Sequence, residues 1–369
     1  MLSEKSRSIA DACRFCWMCR HACPAGQVTG KETYTPRARG LLISLDSRGI
    51  PLSEDSVDAM YQCCLCGACT NDCATGWDPL VFIREARRDA IARNFLGPKH
   101  LAILDRALAG NITDEPVNQD LQNAVAALPE KADTVLYLGH SGQRGGAKAS
   151  LALISVLRRA GVGFTVLRSE PQCGDILFDF MGMTEEVRTA AVTCLNAIRA
   201  VGGKKIVVSD PSCARFFKHE CEEMGLMEGL EVVTATAFVE SLFAGGALKA
   251  RSSSLSSATI HDPSRLARDL DETESARTVL KTMGITINEM FLNRKLTRCC
   301  GNVVYHAMYP DCGTSMGKAR WADAQSTKES VVVTLCPTSM GILSRTAPEG
   351  MQAKDIFELV AEAVCDGAP

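Results

Sequence analysis

The chain has 369 residues, with 40 Lys and Arg against 43 Asp and Glu, and 18 cysteines. That length suits two or three domains, and 46% hydrophobic with 22% charged residues is the balance of a globular protein. A net charge of −3 gives no electrostatic basis for binding nucleic acid or an anionic membrane surface. Intrinsic disorder and a disulfide-dense miniature scaffold are excluded.

The first residues, MLSEKSRSIADAC, mix both charges and contain no apolar signal-peptide core. The longest near-apolar stretch, 235–248, is too short for a membrane span and carries Glu240. We therefore expect a cytoplasmic chain with no membrane span of its own, meeting a membrane only through a partner. In that compartment clustered cysteines favour metal over disulfides.

Nine cysteines fall between Cys13 and Cys73. They form two runs, Cys13-x2-Cys16-x2-Cys19-x3-Cys23-Pro and Cys63-x2-Cys66-x2-Cys69-x3-Cys73. Each run has the spacing that binds a [4Fe–4S] cluster, in which the fourth cysteine serves the other cluster. This assigns Cys13, Cys16, Cys19 and Cys73 to one centre, and Cys63, Cys66, Cys69 and Cys23 to the other. Structural zinc uses two separated pairs rather than such runs. Cys64 breaks the x2 spacing and reads as a buried or bystander thiol.

Between the runs, PRARGLLISLDSRG and SEDSVDAMYQC predict two helices, with Pro36 at a first helical position and Ser53 as an N-cap. Residues 80–130 read as helical segments and a polar connector. From about residue 131, short apolar runs at 134–139, 163–168, 205–210, 258–262 and 331–336 alternate with amphipathic helices. That alternation predicts α/β units around mostly parallel sheets. The region also repeats: 172–174 answers to 299–301 at an offset of 127, 210–213 to 336–339 at 126, and His140 to Ser264 at 124. We expect a ferredoxin domain over 1–95, a helical connector over 96–130, and α/β halves over 131–250 and 251–369.

With these residues in view, the chain resembles the iron–sulfur subunits of glycolate oxidase. It is also similar to the lactate-utilisation, anaerobic glycerol-3-phosphate dehydrogenase and heterodisulfide reductase D-like subunits with cysteine-rich (CCG) domains. The resemblance implies an α-helical dicluster ferredoxin domain, of the type in succinate dehydrogenase iron–sulfur subunits, followed by two CCG halves. It also implies electron transfer between a flavoprotein or other dehydrogenase subunit and a downstream acceptor, either an electron carrier or a quinone-linked chain.

A complete family motif supplies five cysteines, and here both copies are degenerate. The first half has His140, Gln172, Cys173, Asp210 and Cys213, and the second has Ser264, Cys299, Cys300, Cys336 and Ser339. Neither supplies the five thiolates of the noncubane cluster that reduces disulfides in this family, which argues against heterodisulfide reduction at either site. Cys299, Cys300 and Cys336 with His261 could hold a third iron–sulfur cluster or zinc, or be buried apolar side chains of a decayed motif. His140, Cys173, Asp210 and Cys213 could hold zinc, or be scaffold.

The loop from Gly139 to Gly146 follows a strand but lacks the G-x-G-x-x-G order, so a glycine-requiring turn is favoured over a phosphate cradle. Cys194, Cys221 and Cys365 read as structural, and Cys312, near His306, as an ordinary residue or a neighbour of the third site. No residue reads as a nucleophile or general base. The expected function is an electron-relay subunit. The alternatives are a catalytic reductase with an open iron at Cys299, Cys300 and Cys336, and a redox-sensing scaffold.

Overall fold

The computed structural model describes residues 2–251 and 253–364; Cys365 lies outside the described residues. The chain forms two compact units. The first joins Met1–Asp114 to two later segments, Gly174–Arg188 and Lys295–Arg320, and the second takes Glu115–Cys173, Thr189–Arg294 and Trp321–Pro369.

Among the described residues the first unit is helical, without strands. Its helices begin where the sequence satisfies their free amides. The Thr35 side chain accepts from Ala38 N and Pro36 opens the helix Pro36–Ser47. Ser53 accepts from Ser56 N at the start of Glu54–Tyr61. The apolar faces of these helices and of Pro79–Ala92 meet in a core of Ile43, Met60, Leu65, Trp77, Phe82 and Ile83, which also contains Cys19 and Cys69.

Arg87, fully buried, ties the unit together through carbonyls. Its guanidinium donates to Met60 O at 2.8 Å, to Cys63 O and to Asp179 O. Asp179 in turn accepts from Asn302 Nδ2 at 2.7 Å, so both late segments are joined to the N-terminal helices by buried polar bonds.

The second unit holds two four-stranded parallel sheets. The first has β1 (Thr134–Tyr137), β2 (Phe164–Thr165), β3 (Lys205–Val208) and β4 (Glu231–Thr234) in the order β2-β1-β3-β4. The second has β5 (Ser257–Ile260), β6 (Thr286–Ile287), β7 (Val331–Thr334) and β8 (Gln352–Asp355) in the order β6-β5-β7-β8. The identical orders are the structural form of the sequence repeat. Registers such as Val135↔Ile206 and Ile260↔Val333 align the strand ends. Leu136, Val207, Ile260 and Val333 share one core, so the two halves bury their apolar faces together.

Candidate metal centres

The two cysteine runs adopt the same backbone 50 residues apart. Phe15 and Leu65 have φ of 57° and 51°, and Trp17 and Gly67 have φ of 68° and 71°. This left-handed conformation is costly for non-glycine residues. It turns the peptide amides toward the sulfurs: Phe15 N donates to Cys13 Sγ at 3.5 Å, and Leu65 N to Cys63 Sγ at 3.3 Å. The third cysteine of each run, Cys19 or Cys69, then sits in the first turn of a short helix and is buried. At this repeat Cys64 corresponds to Arg14. Arg14 is exposed and Cys64 is buried.

Cys23 leaves the first run as the N-cap of Pro24–Thr29, its Sγ accepting from Gly26 N at 3.5 Å. It lines a cavity together with Cys63, Cys66 and Cys69, and Cys64 lies on the same wall. Burial, then the neighbouring Cys63, Cys66 and Cys23 thiols, pushes Cys69 well above its ordinary range. Cys19 is raised to about 11 by burial and by Cys13, Cys23 and Cys16. So many close sulfurs cannot all be anionic unless positive charge joins them. Cys13 and Cys73 pack against the core that contains Cys19.

One buried cation faces the cavity. Arg39, also on its wall, donates through Nε to Ala59 O at 2.7 Å and through Nη2 to Gln62 O at 2.8 Å. The guanidinium lies against Cys23, and its Nη1 has no hydrogen-bond acceptor. An iron–sulfur cubane, with negative charge on sulfide and thiolate, fits both the four converging thiols and this unsatisfied buried donor.

The CCG segment of the second half contributes to the first unit. Cys299 Sγ accepts from Gly301 N at 3.3 Å and lies 3.9 Å from Cys64 Sγ. The sulfurs of Cys64, Cys66 and Cys299 are all within 4.8 Å of one another. Gly301 has φ of 93°, and a Cβ there would stand 2.7 Å from His306 Nε2, which itself bonds Cys300 O at 2.8 Å. Asn302 caps the helix Val303–Met308, Tyr305 Oη donates to Gln62 Oε1 at 3.1 Å, and Tyr309 Oη to Asp58 Oδ1 at 2.7 Å. Cys300 is buried in this unit, and Cys312 is half-buried.

The remaining candidates belong to the second unit, at the carboxyl ends of its strands, where open parallel sheets bind ligands. His261 follows β5 and Cys336 follows β7; both are buried. Burial, then Asp210, raises Cys336 to about 12. Ser264 and Ser339 hold the other two motif positions. In the first half Asp210 caps the helix Pro211–Phe216 by accepting from Ser212 N at 2.8 Å. Cys173 and Cys213 have their sulfurs within 4.8 Å of each other. Burial, then Arg144, lowers His140 to about 4.

The loop amides that could have cradled a phosphate already have a carboxyl acceptor. Glu170 accepts from Leu138 N and Gly139 N, both at 2.8 Å, and from Gln143 Nε2 at 2.9 Å. Gly139 has φ of 77°, and a Cβ there would be 2.8 Å from Asp210 Cβ, so the glycine-requiring turn is what the loop contains. Neither Glu170 nor Arg39 carries a sequence signal, because each acts on a site remote along the chain. Cys194 and Cys221 are fully buried.

Among the described residues no helix is long and apolar enough to cross a membrane. Residues 9–77 match the family model for a 4Fe-4S dicluster domain, and residues 139–218 and 258–343 each match that for a cysteine-rich domain. The chain is 26% identical to the D-type component of the dihydromethanophenazine:CoB–CoM heterodisulfide reductase of Methanosarcina barkeri, over 96% of this chain and 94% of that protein. It is also 26% identical to a probable membrane-anchored ferredoxin of Chromohalobacter salexigens, over 97% of this chain and 60% of that one. A hypothetical protein from Helicobacter pylori shares the fold with a TM-score of 0.52 at 8% identity, covering 88% of this chain and 67% of that one. The chain belongs to the iron–sulfur proteins that join a 4Fe-4S dicluster domain to two cysteine-rich CCG domains.

Proposed function

We propose that this chain is an electron-relay subunit, passing electrons between a flavin- or substrate-linked dehydrogenase partner and a downstream carrier or quinone-linked chain. Cys13, Cys16, Cys19 and Cys73 would hold one [4Fe–4S] centre, and Cys63, Cys66, Cys69 and Cys23 the other. The observation that carries the reading is the single cavity shared by Cys23 and the three spaced thiols of the second run. That grouping supports the crossover ligand pattern of a two-cluster ferredoxin.

When bound, such a centre supplies one-electron transfer without proton chemistry at the protein. The chain's own residues fix its ligands by left-handed turns and amide donors, and Arg39 presents buried positive charge to the second set. The first run lies at the surface. Cys16 is exposed, and the Arg37 guanidinium stacks on the exposed rings of Phe15 and Trp17, 4.6 Å and 3.8 Å from their centroids. This supports contact between the first set and a partner, and the names of the relatives, as components of reductases, support membership of a complex.

Anaerobically purified protein should carry about eight irons per chain, falling to about four in Cys66→Ala. Dye reduction should require a copurifying flavoprotein or dehydrogenase. Activity of the isolated chain alone would overturn the relay. A third centre at Cys299, Cys300, Cys336 and His261 would add iron or zinc beyond that count, removed in Cys300→Ser. Zinc lost in Cys213→Ser would assign it to His140, Cys173, Asp210 and Cys213.

A further inference from the structure

Cys64 is left over by the ligand pattern. Its counterpart in the first run, Arg14, is an exposed side chain, so wrapping a cluster does not require a sulfur there. Cys64 is instead buried against Cys299, a residue 235 positions later, with the two sulfurs 3.9 Å apart. The approach is held from both sides. Leu65 and Gly67 fix the second run through their left-handed turns. The bonds Asn302–Asp179, Tyr305–Gln62 and Tyr309–Asp58 fix the CCG segment. Cys66 is the third sulfur of the group, but on the functional reading above it is committed to the second centre.

We propose that Cys64 and Cys299 are a redox pair that closes to a disulfide, a modification site distinct from the eight cluster ligands; this rests on that reading only for the commitment of Cys66. Side-chain rotation must shorten 3.9 Å to an S–S bond of about 2.05 Å. The oxidant is a small hydroperoxide, the class of oxidant that suits two buried thiols. One sulfur attacks the peroxide, the O–O bond breaks, and a sulfenic acid and an alcohol (water from hydrogen peroxide) form. The second sulfur then displaces the sulfenic oxygen as water, and the S–S bond forms. In sum, two thiols and one hydroperoxide give one disulfide, one alcohol and one water. The bond ties the second cysteine run to the CCG segment.

The test treats anaerobically purified holoprotein with one equivalent of hydrogen peroxide, blocks the remaining thiols, and measures iron and cross-linked peptides on the same sample. The expected product is one cross-link, two hydrogens lighter than the separate peptides, joining Cys64 to Cys299. Iron should be unchanged, and the cross-link should reverse with a dithiol reductant. It should be absent from Cys64→Ser and Cys299→Ser, and retained in Cys312→Ser. Full iron with no cross-link, a cross-link through Cys66 or Cys300, or one that appears only as iron is lost would each overturn the pair. A Cys64–Cys299 cross-link in protein that never holds about eight irons would keep the pair and sink the two-cluster relay instead.

Discussion

Two ionisable residues show how single side chains set the chemistry. Arg39 faces the cavity of the second cysteine run with a donor that has no protein acceptor. Reduction of a cluster held there would add negative charge, and a buried guanidinium would stabilise the more negative state. Replacing it in Arg39→Gln should shift the potential of the second centre to more negative values, read by spectroelectrochemistry, with the first centre little changed.

Glu170 has the opposite problem. Burial, despite three hydrogen bonds, and the nearby Asp210 raise its carboxyl to about 8. Its folded value therefore exceeds the unfolded one, so its stabilising effect is complete below the unfolded pKa, about 4.5, and is lost as pH rises to about 8. Denaturant unfolding between pH 5 and 8 should show wild type losing stability relative to Glu170→Gln as pH increases. Parallel curves would remove this role.

At the scale of elements, features written locally were readable in the sequence. Pro36 and Ser53 open helices where their chemistry predicts, because a cap acts within one turn. Five of the strands coincide with apolar, β-branched runs that are buried in the sheets. The strands outside those runs are β4, β6 and β8, of which β4 and β8 contain charged residues and β6 is two residues long. All three sit at sheet edges, where half-exposure removes the apolar signal.

The meeting of Cys64 with Cys299 was not readable, because it depends on tertiary docking and not on spacing. The CCG glycine is the hinge of that docking. Gly301→Ala would force a side chain into a left-handed backbone and against His306. It should cost about 1–3 kcal/mol of stability and make Cys299 more reactive to alkylating reagents in the native protein.

On the scale of the whole molecule, the second unit is fastened between its halves by charge as well as by its common core. Arg215 after β3 pairs with Glu220 through bonds of 3.0 Å and 2.6 Å. Its Nε also reaches Asp269 at 3.1 Å, and Asp269 is shared with Arg265. Arg215→Ala leaves the buried Glu220 carboxylate without its cation, while Asp269 keeps Arg265, and should cost about 3 kcal/mol in urea unfolding. A loss under about 1 kcal/mol would mean that solvent already screens the cluster.

The first unit is assembled from three stretches of chain, the last ending at Arg320. During synthesis, the N-terminal cysteines leave the ribosome long before residues 295–320, which bury Gln62 and Cys64, exist. The unit can therefore close over those cysteines only after residues 295–320 have been made. Early exposure of the cysteines and their late enclosure is an order of events built into the connectivity itself.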